Sequence, residues 1–291
     1  MDTVLFANAV INGVIVGLLL ALPALAITLV FGIARFPNAA AGDYMTFGAY
    51  ATVAAQAFMG ASLVGSAIVA TLATGLLSLF FYFWVFRKLA QRSLVARLIA
   101  SIGIAFAVRA AITFFAGHGQ YTIQAPLQRA WNFGGIRILP LDAYILLAAL
   151  LALAFMFGLL YLSPTGRRMR AVSDNPQLAA VGGIGVRKVM VILWGIVGVF
   201  SGLGGVLLGI KATVLPELGW ELLLPMFAAV ILGGVGSPVG AVLGMIVFGI
   251  AQEVATLYIG SAYKIVIAFL VLLVVLLFRP QGIMGRVQAV R

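Results

Sequence analysis

A chain of 291 residues that is 64% apolar and only 9% charged, with mean hydropathy +1.20, departs from soluble domains in both directions at once and is built for lipid. With no cysteine and a single histidine, it excludes disulfides, thiolate zinc sites, haem attachment and multi-histidine metal centres. The net charge of +11 falls in short basic clusters between apolar runs, the distribution of membrane topology rather than of nucleic-acid binding.

Crossing about 30 Å of hydrocarbon takes about 20 helical residues. The first apolar run is 3–34, and the second, 44–86, is long enough for two spans with a break at 59–62. A run over 94–116 is interrupted only by Arg109, and 143–166 ends at Ser163-Pro164-Thr165-Gly166. Then come 189–210, a run over 222–252 broken by Gly233-Gly234-Val235-Gly236-Ser237-Pro238, and 262–278, interrupted by Lys264 and closed by Arg279-Pro280. None has the ten-residue alternation of an outer-membrane barrel strand. The expected fold is an all-α polytopic membrane protein, a single transmembrane domain over 1–291 with about eight spans, or about seven to ten depending on how the Gly-rich stretches fold. Asp2 replaces the positive start of a signal peptide and the apolar run continues past Pro23 into Gly32, so the first segment is expected to remain as a transmembrane helix.

Lys and Arg set the orientation. Arg87, Lys88, Arg92 and Arg97 form one cluster, Arg167, Arg168, Arg170, Arg187 and Lys188 a second, and Arg279, Arg286 and Arg291 a third. Positive loops stay in the cytoplasm. That places 117–141 outside despite Arg129 and Arg137, the loop around Arg35 inside, and the N-terminus outside. Trp131, Trp220 and Tyr258 fall near span ends, as interfacial aromatics do. Lys211, Glu217 and Glu221 border an external loop that suits a docking protein and plain water equally. His118 is external and alone, with no assigned role.

The most polar stretch, 163–190, reads as more than a linker. Ser173-Asp174-Asn175-Pro176 is a helix start, a capping side chain followed by Pro at the first helical position. About one turn, with Leu178 and Ala179, is then ended by Gly182-Gly183-Ile184-Gly185. So short a helix is either built to dock into another protein's groove or rests as an elbow on the lipid surface.

Three regions, in order along nearly the whole chain, give it a family likeness. They are Arg35-Phe36-Pro37-Asn38-Ala39-Ala40-Ala41-Gly42-Asp43; the loop from Thr165-Gly166-Arg167-Arg168 through Ser173-Asp174-Asn175-Pro176 to Gly183-Ile184-Gly185-Val186; and Leu232-Gly233-Gly234-Val235-Gly236-Ser237-Pro238-Val239-Gly240-Ala241 with the closing Phe278-Arg279-Pro280-Gln281-Gly282-Ile283. The chain resembles the permease subunits of the Liv-type, branched-chain amino acid family of ATP-binding-cassette (ABC) importers. The resemblance implies a second permease subunit, usually a different chain, together with two cytoplasmic ATPase subunits that carry the ATP and Mg, and a periplasmic solute-binding protein. It also implies residence in a bacterial inner membrane. The sequence has no Gly-rich phosphate loop ending in Gly-Lys-Ser or Gly-Lys-Thr, so no cofactor and no catalytic residue is expected in this chain. The family resemblance puts ATPase coupling on Asp174, Asn175, Pro176, Leu178, Ala179 and Gly182. In the first region Ala41 stands where the family usually has His, and Ala39 where it has an aromatic, which leaves the solute open among branched-chain and related amino acids, amides and carboxylates.

Two Gly/Pro breaks, near 36–43 and 233–240, mark either a solute path or two tight turns, because freed backbone groups must face protein or water. On the first reading Asn38, Gly42, Asp43, Gly236 and Ser237 line the path or its gate. Arg109 lies 12 residues beyond Arg97, about 18 Å into the bilayer, where an Arg must be paired or face water. Glu253 lies 13 residues beyond Gly240, at similar depth if that helix also starts inside, and is the expected partner; otherwise Arg109 faces the solute. Glycines four apart (Gly13/Gly17, Gly198/Gly202, Gly205/Gly209, Gly240/Gly244) suit close helix crossing within the chain more than contact between subunits. Two competitors to the importer reading are an ion-coupled secondary transporter, which needs an essential membrane carboxylate such as Glu253 or Asp43, and a structural subunit of a larger complex.

Overall fold

The structure, a computed structural model, describes residues 3–126, 129, 131–133, 136–260, 263–278 and 282–284. Of the third basic cluster, Arg279, Arg286 and Arg291 lie outside the described residues, as do Asp2 and 279–281 of the closing motif. The helices are α1 (Thr3–Leu29), α2 (Ala40–Met59), α3 (Leu63–Phe81), α4 (Leu94–Ala116), α5 (Pro140–Phe157), α6 (Pro164–Asp174), α7 (Pro176–Val181), α8 (Val186–Lys211), α9 (Leu218–Gly233), α10 (Pro238–Ile259) and α11 (Lys264–Phe278). α1, α3 and α5 each run on into a π-helical turn, at Val30–Ala34, Tyr82–Phe86 and Gly158–Leu162. A small antiparallel hairpin, β1 (Trp131–Phe133) with β2 (Ile136–Ile138), lies between α4 and α5 with Asn132 opposite Arg137.

By length and composition, six helical segments among the described residues can cross a membrane: Thr3–Ala34, Leu63–Phe86, Leu94–Ala116, Pro140–Leu162, Val186–Lys211 and Pro238–Ile259. The difference from about eight has a physical basis. α2 is more polar, carrying Asp43, Tyr44, Thr46, Tyr50, Thr52 and Gln56 along its length. α11, in the run 262–278, has 15 described helical residues, which at 1.5 Å each reach only about 22 Å, and α9, with 16, reaches about 24 Å. The run 222–252 folds as two antiparallel helices, with Gly233 beside Gly240 and Ala229 beside Gly244.

α1 is the central helix. Every residue from Leu18 to Leu29 is buried, and its most apolar window is 83% buried, against 28% for the segments of α3, α4 and α5. Those three turn apolar side chains such as Leu76, Phe114 and Phe155 outward. Lipid supplies no hydrophobic drive between helices, so close packing of small residues holds such a bundle together. The four glycine pairs do this inside the chain. Gly13 and Gly17 meet α10 at Ile250 and Ile246, Gly198 and Gly202 meet Thr74 of α3, Gly205 and Gly209 meet Met45 and Ala49 of α2, and Gly240 and Gly244 meet α9. A Cβ on Gly205 would overlap the carbonyl oxygen of Met45.

The two ends of the bundle are tied differently. At the end away from the first two basic clusters, Lys211 Nζ reaches Asp142 Oδ1 at 2.9 Å, Tyr121 pairs with Val214, and Gln56 exchanges two hydrogen bonds with Gln124. At the other end both helix breaks and the 163–190 loop come together.

Candidate functional site: two helix breaks, a polar loop and a buried ion pair

The π-helical turn that ends α1 leaves backbone carbonyls without helical partners, as any helix end does. Side chains from elsewhere take them up. Ser173 Oγ donates to Gly32 O at 2.8 Å and Arg97 Nη1 to Ala34 O at 2.7 Å. Arg35 then turns the chain with φ 58°, the one non-glycine residue with positive φ among those described. Its Nη2 donates to the carbonyls of Ser173 and Asp174 at 2.9 and 3.1 Å. A cation on the last carbonyls of α6 is favoured by the helix dipole as well as by the hydrogen bonds. The first break is thereby bound to the polar loop.

Beyond Arg35 the chain turns into α2. Asn38 Oδ1 accepts from Ala40 N at 3.1 Å, and Ser101 Oγ of α4 accepts from Ala39 N at 3.1 Å. Asn38 is fully buried and its Nδ2 has no partner among the described residues. Gly42 packs backbone to backbone against Gly219 of α9, where a Cβ on either would collide with the other's carbonyl, and Thr46 Oγ1 accepts from Gly219 N at 2.9 Å. Ala39 and Ala41, the positions that depart from the family pattern, are buried in this packing.

Asp43, in the first turn of α2, has a fully buried side chain. Arg109 Nε and Nη2 clasp its two carboxylate oxygens in three hydrogen bonds of 3.0 Å. The guanidinium also lies over the rings of Trp220 at 4.7 Å and Phe106 at 5.4 Å, the stacked and bidentate placement that suits Arg and not Lys. The partner of Arg109 is therefore Asp43, not Glu253. Depth along the helices placed Arg109 and Glu253 level, but α4 packs on α2, whereas α10 packs on α1, α9 and α11. Asp43, expected on the path or its gate, is engaged in this ion pair.

The second break is a tight turn. Gly234 and Gly236 take φ of 105° and 81°, and Ser237 Oγ caps α10 by accepting from Gly240 N at 3.1 Å. The returning chain satisfies the end of α9, with Ile283 N on Leu232 O at 2.8 Å and Met284 N on Gly233 O at 2.9 Å. Gly236 lies against the π-helical end of α1 at Gly32, while Asn38 precedes α2 and Gly42 and Asp43 lie at its start.

In the loop, Asn175 Oδ1 accepts from Gln177 N and Leu178 N at 3.0 Å each, with Pro176 opening α7. Ala179 is buried, whereas Leu178 and Val181 are 68% and 86% exposed. Gly182 ends the helix, its N–H donating to Leu178 O, and Gly183 follows at φ 82°. The preceding helix, α6, was missed in the sequence, where Ser163-Pro164 reads only as a stop. Ser163 Oγ accepts from Gly166 N at 3.1 Å, the same cap-then-Pro signal as Asn175-Pro176 and Ser237-Pro238. α6 buries Met169 and Val172 and presents Arg167 and Arg168 to solvent.

A bundle of this kind, with a central buried helix, two broken segments and a capped polar loop bound to the end of that helix, is that of a membrane permease subunit. Its fold is similar to that of a solved ABC transporter of metal-chelate type in an inward-facing conformation, with TM-score 0.52 and 15% identity over 92% of this chain and 85% of that one. The chain belongs to the family described as branched-chain amino acid transport system, permease component, whose profile matches residues 9–276. It is 28% identical to the high-affinity branched-chain amino acid transport system permease protein LivH of Escherichia coli K12, over 97% of this chain and 96% of the relative. It is 30% identical to the corresponding permease protein BraD of Pseudomonas aeruginosa, over 97% and 96%.

Proposed function

We propose that this chain is one of two permease subunits of an ATP-driven importer in a bacterial inner membrane, moving a small polar solute inward by alternating access. Two ATPase subunits bind from the cytoplasm at 163–190, and a periplasmic binding protein delivers the solute at the opposite end. The second permease is a related chain. The relatives' names point to branched-chain amino acids, with related amino acids, amides and carboxylates as the wider class. The observation that carries this reading is the loop itself. A six-residue helix with Leu178 and Val181 exposed directly follows α6, whose last turn is held by Arg35 and Ser173 to the end of α1, so force on α7 reaches the bundle's central helix through the hydrogen-bonded end of α6 rather than through a slack linker. Coupling then needs each partner to prefer one conformational state of the permease.

The test is mass spectrometry of what co-purifies with the tagged chain from its native host in mild detergent. An ATPase subunit is expected, and it is lost when Asp174, Asn175 and Pro176 are replaced by Ala. A chain that purifies without a nucleotide-binding partner overturns the reading in favour of ion-coupled transport.

A further inference from the structure

Every fourth residue along α3 and its π-helical turn, Val64, Ile68, Leu72, Leu76, Phe80 and Trp84, is apolar and 47–68% exposed. From Val64 to Trp84 the helix advances about 30 Å at 1.5 Å per residue, one thickness of hydrocarbon. The next residue in that series is Lys88, whose Nζ stands 6.0 Å from the centre of the Trp84 ring. Between Trp84 and Lys88 the chain therefore passes from hydrocarbon to headgroup level, in the leaflet that positive loops face.

There α3 turns into α4 around an open recess of about 550 Å³ lined by Arg87, Lys88, Ala90, Gln91 and Arg92, all exposed. The turn is held by hydrogen bonds from Lys88 N and Leu89 N to Val85 O and from Arg92 N to Leu89 O. The N–H groups of Ala90 and Gln91 have no acceptor among the described residues. The chain brings no anion of its own to this turn. It has no Asp or Glu between Asp43 and Asp142; Asp43 is buried against Arg109, and Asp142 is paired with Lys211 at the opposite end. Arg187, in the first turn of α8, lies within electrostatic range of the same Tyr82 hydroxyl as Arg87, so a second element adds a fourth cation.

We infer that this turn seats the headgroup of an anionic phospholipid, its phosphate taken by Arg87, Lys88 and Arg92 with the free amides of Ala90 and Gln91, and an acyl chain lying along Trp84 and Phe80. Basic residues at this end orient the chain in the membrane, but orientation needs only their charge. It needs neither an exposed indole beneath Lys88 nor unpaired amides among the cations. A lipid is the anion that fits, because the recess is continuous with an apolar strip one hydrocarbon thickness long, and one molecule satisfies both. The bound headgroup also screens Arg87 from Arg187 and so ties the turn to the base of α8. The inference needs only the membrane fold and stands apart from the importer reading.

Trp84 reports the site. The purified chain and its Trp84→Phe variant are placed in phosphatidylcholine nanodiscs, and the difference between them isolates the emission of Trp84. Lipids brominated near the top of an acyl chain quench it on contact, carrying a phosphatidylglycerol headgroup in one series and phosphatidylcholine in the other. Phosphatidylglycerol is expected to associate about fivefold more strongly, the factor that one effective surface cation supplies. Arg87→Gln/Lys88→Gln/Arg92→Gln, with the same Trp84→Phe subtraction, is expected to abolish the preference. Arg167→Gln/Arg168→Gln, which removes exposed charge at the same end of the bundle, is expected to leave it unchanged. Equal association of the two lipids with the unaltered chain overturns the inference, whatever the variants do. So does an equal fall in both variants, because the preference then belongs to the surface potential of the whole face. Equal association together with loss of a co-purifying subunit in the triple variant would assign the turn to an acidic protein instead.

Discussion

The Asp43–Arg109 pair makes an asymmetric prediction. Arg109→Gln leaves a carboxylate with no exposed surface and no other hydrogen-bond donor among the described residues. Breaking a buried pair from that side costs about 3–5 kcal/mol. Asp43→Asn instead leaves a guanidinium that is 14% exposed at a cleft and lies over two aromatic rings, so part of its hydration and its cation–π contacts survive and the cost falls to about 1–3 kcal/mol. The double variant Asp43→Asn/Arg109→Gln holds two neutral amides in contact and is expected to recover at least about 1 kcal/mol relative to the sum of the singles. Thermal unfolding of the purified chain in detergent reads this directly, with Arg109→Gln lowering Tm on the order of 10 °C and Asp43→Asn clearly less. Equal losses for the two singles with a strictly additive double would refute a buried, mutually dependent pair. A rescue of Arg109→Gln by Glu253→Gln and not by Asp43→Asn would restore the pairing expected from the sequence.

Gly205→Ala sets a Cβ on the Met45 carbonyl, whereas Gly103→Ala on α4 meets nothing within 4 Å; the first is expected to cost more than about 2 kcal/mol by forcing α2 and α8 apart, the second to stabilise by up to about 1 kcal/mol, both measured by thermal unfolding. Arg35→Gly relieves about 1 kcal/mol of left-handed strain but deletes both hydrogen bonds to the end of α6, so Tm is expected to change little while amide-exchange protection of 164–174 falls by about tenfold. Unchanged protection would show that the latch carries no load. Asn175→Ala removes the acceptor for two α7 amides and is expected to cost about 1 kcal/mol locally, read as a fall in recovered ATPase subunit on co-purification.

What could be read from the sequence was whatever is encoded locally. Hydropathy fixes that the chain sits in lipid, since no packing arrangement rescues so few charges in a soluble fold. A capping side chain followed by Pro marks a helix start residue by residue, which is why α7 was legible at Asn175-Pro176, while the break before α10 was legible only as a Gly/Pro interruption at 233–238. The same signal at Ser163-Pro164 was present and went unread as α6. The glycine spacing foretold close crossings as well, because a Cβ-free strip has no other use inside a packed bundle.

Tertiary structure alone decided which helix is interior and which residue meets which. α1 and α3 are both strongly apolar, at mean hydropathies of 2.8 and 2.0 for their best windows, yet one is 83% buried and the other 28%. In water an apolar stripe announces the face that turns inward; in a bilayer the outward face is apolar too, and that information disappears from the sequence. Depth along a helix can be counted in residues, so Arg109 was expected to need either a partner or water. Choosing Asp43 over Glu253 required knowing that α4 lies on α2 and not on α10, and that adjacency follows from side-chain fit between helices rather than from the composition of either one.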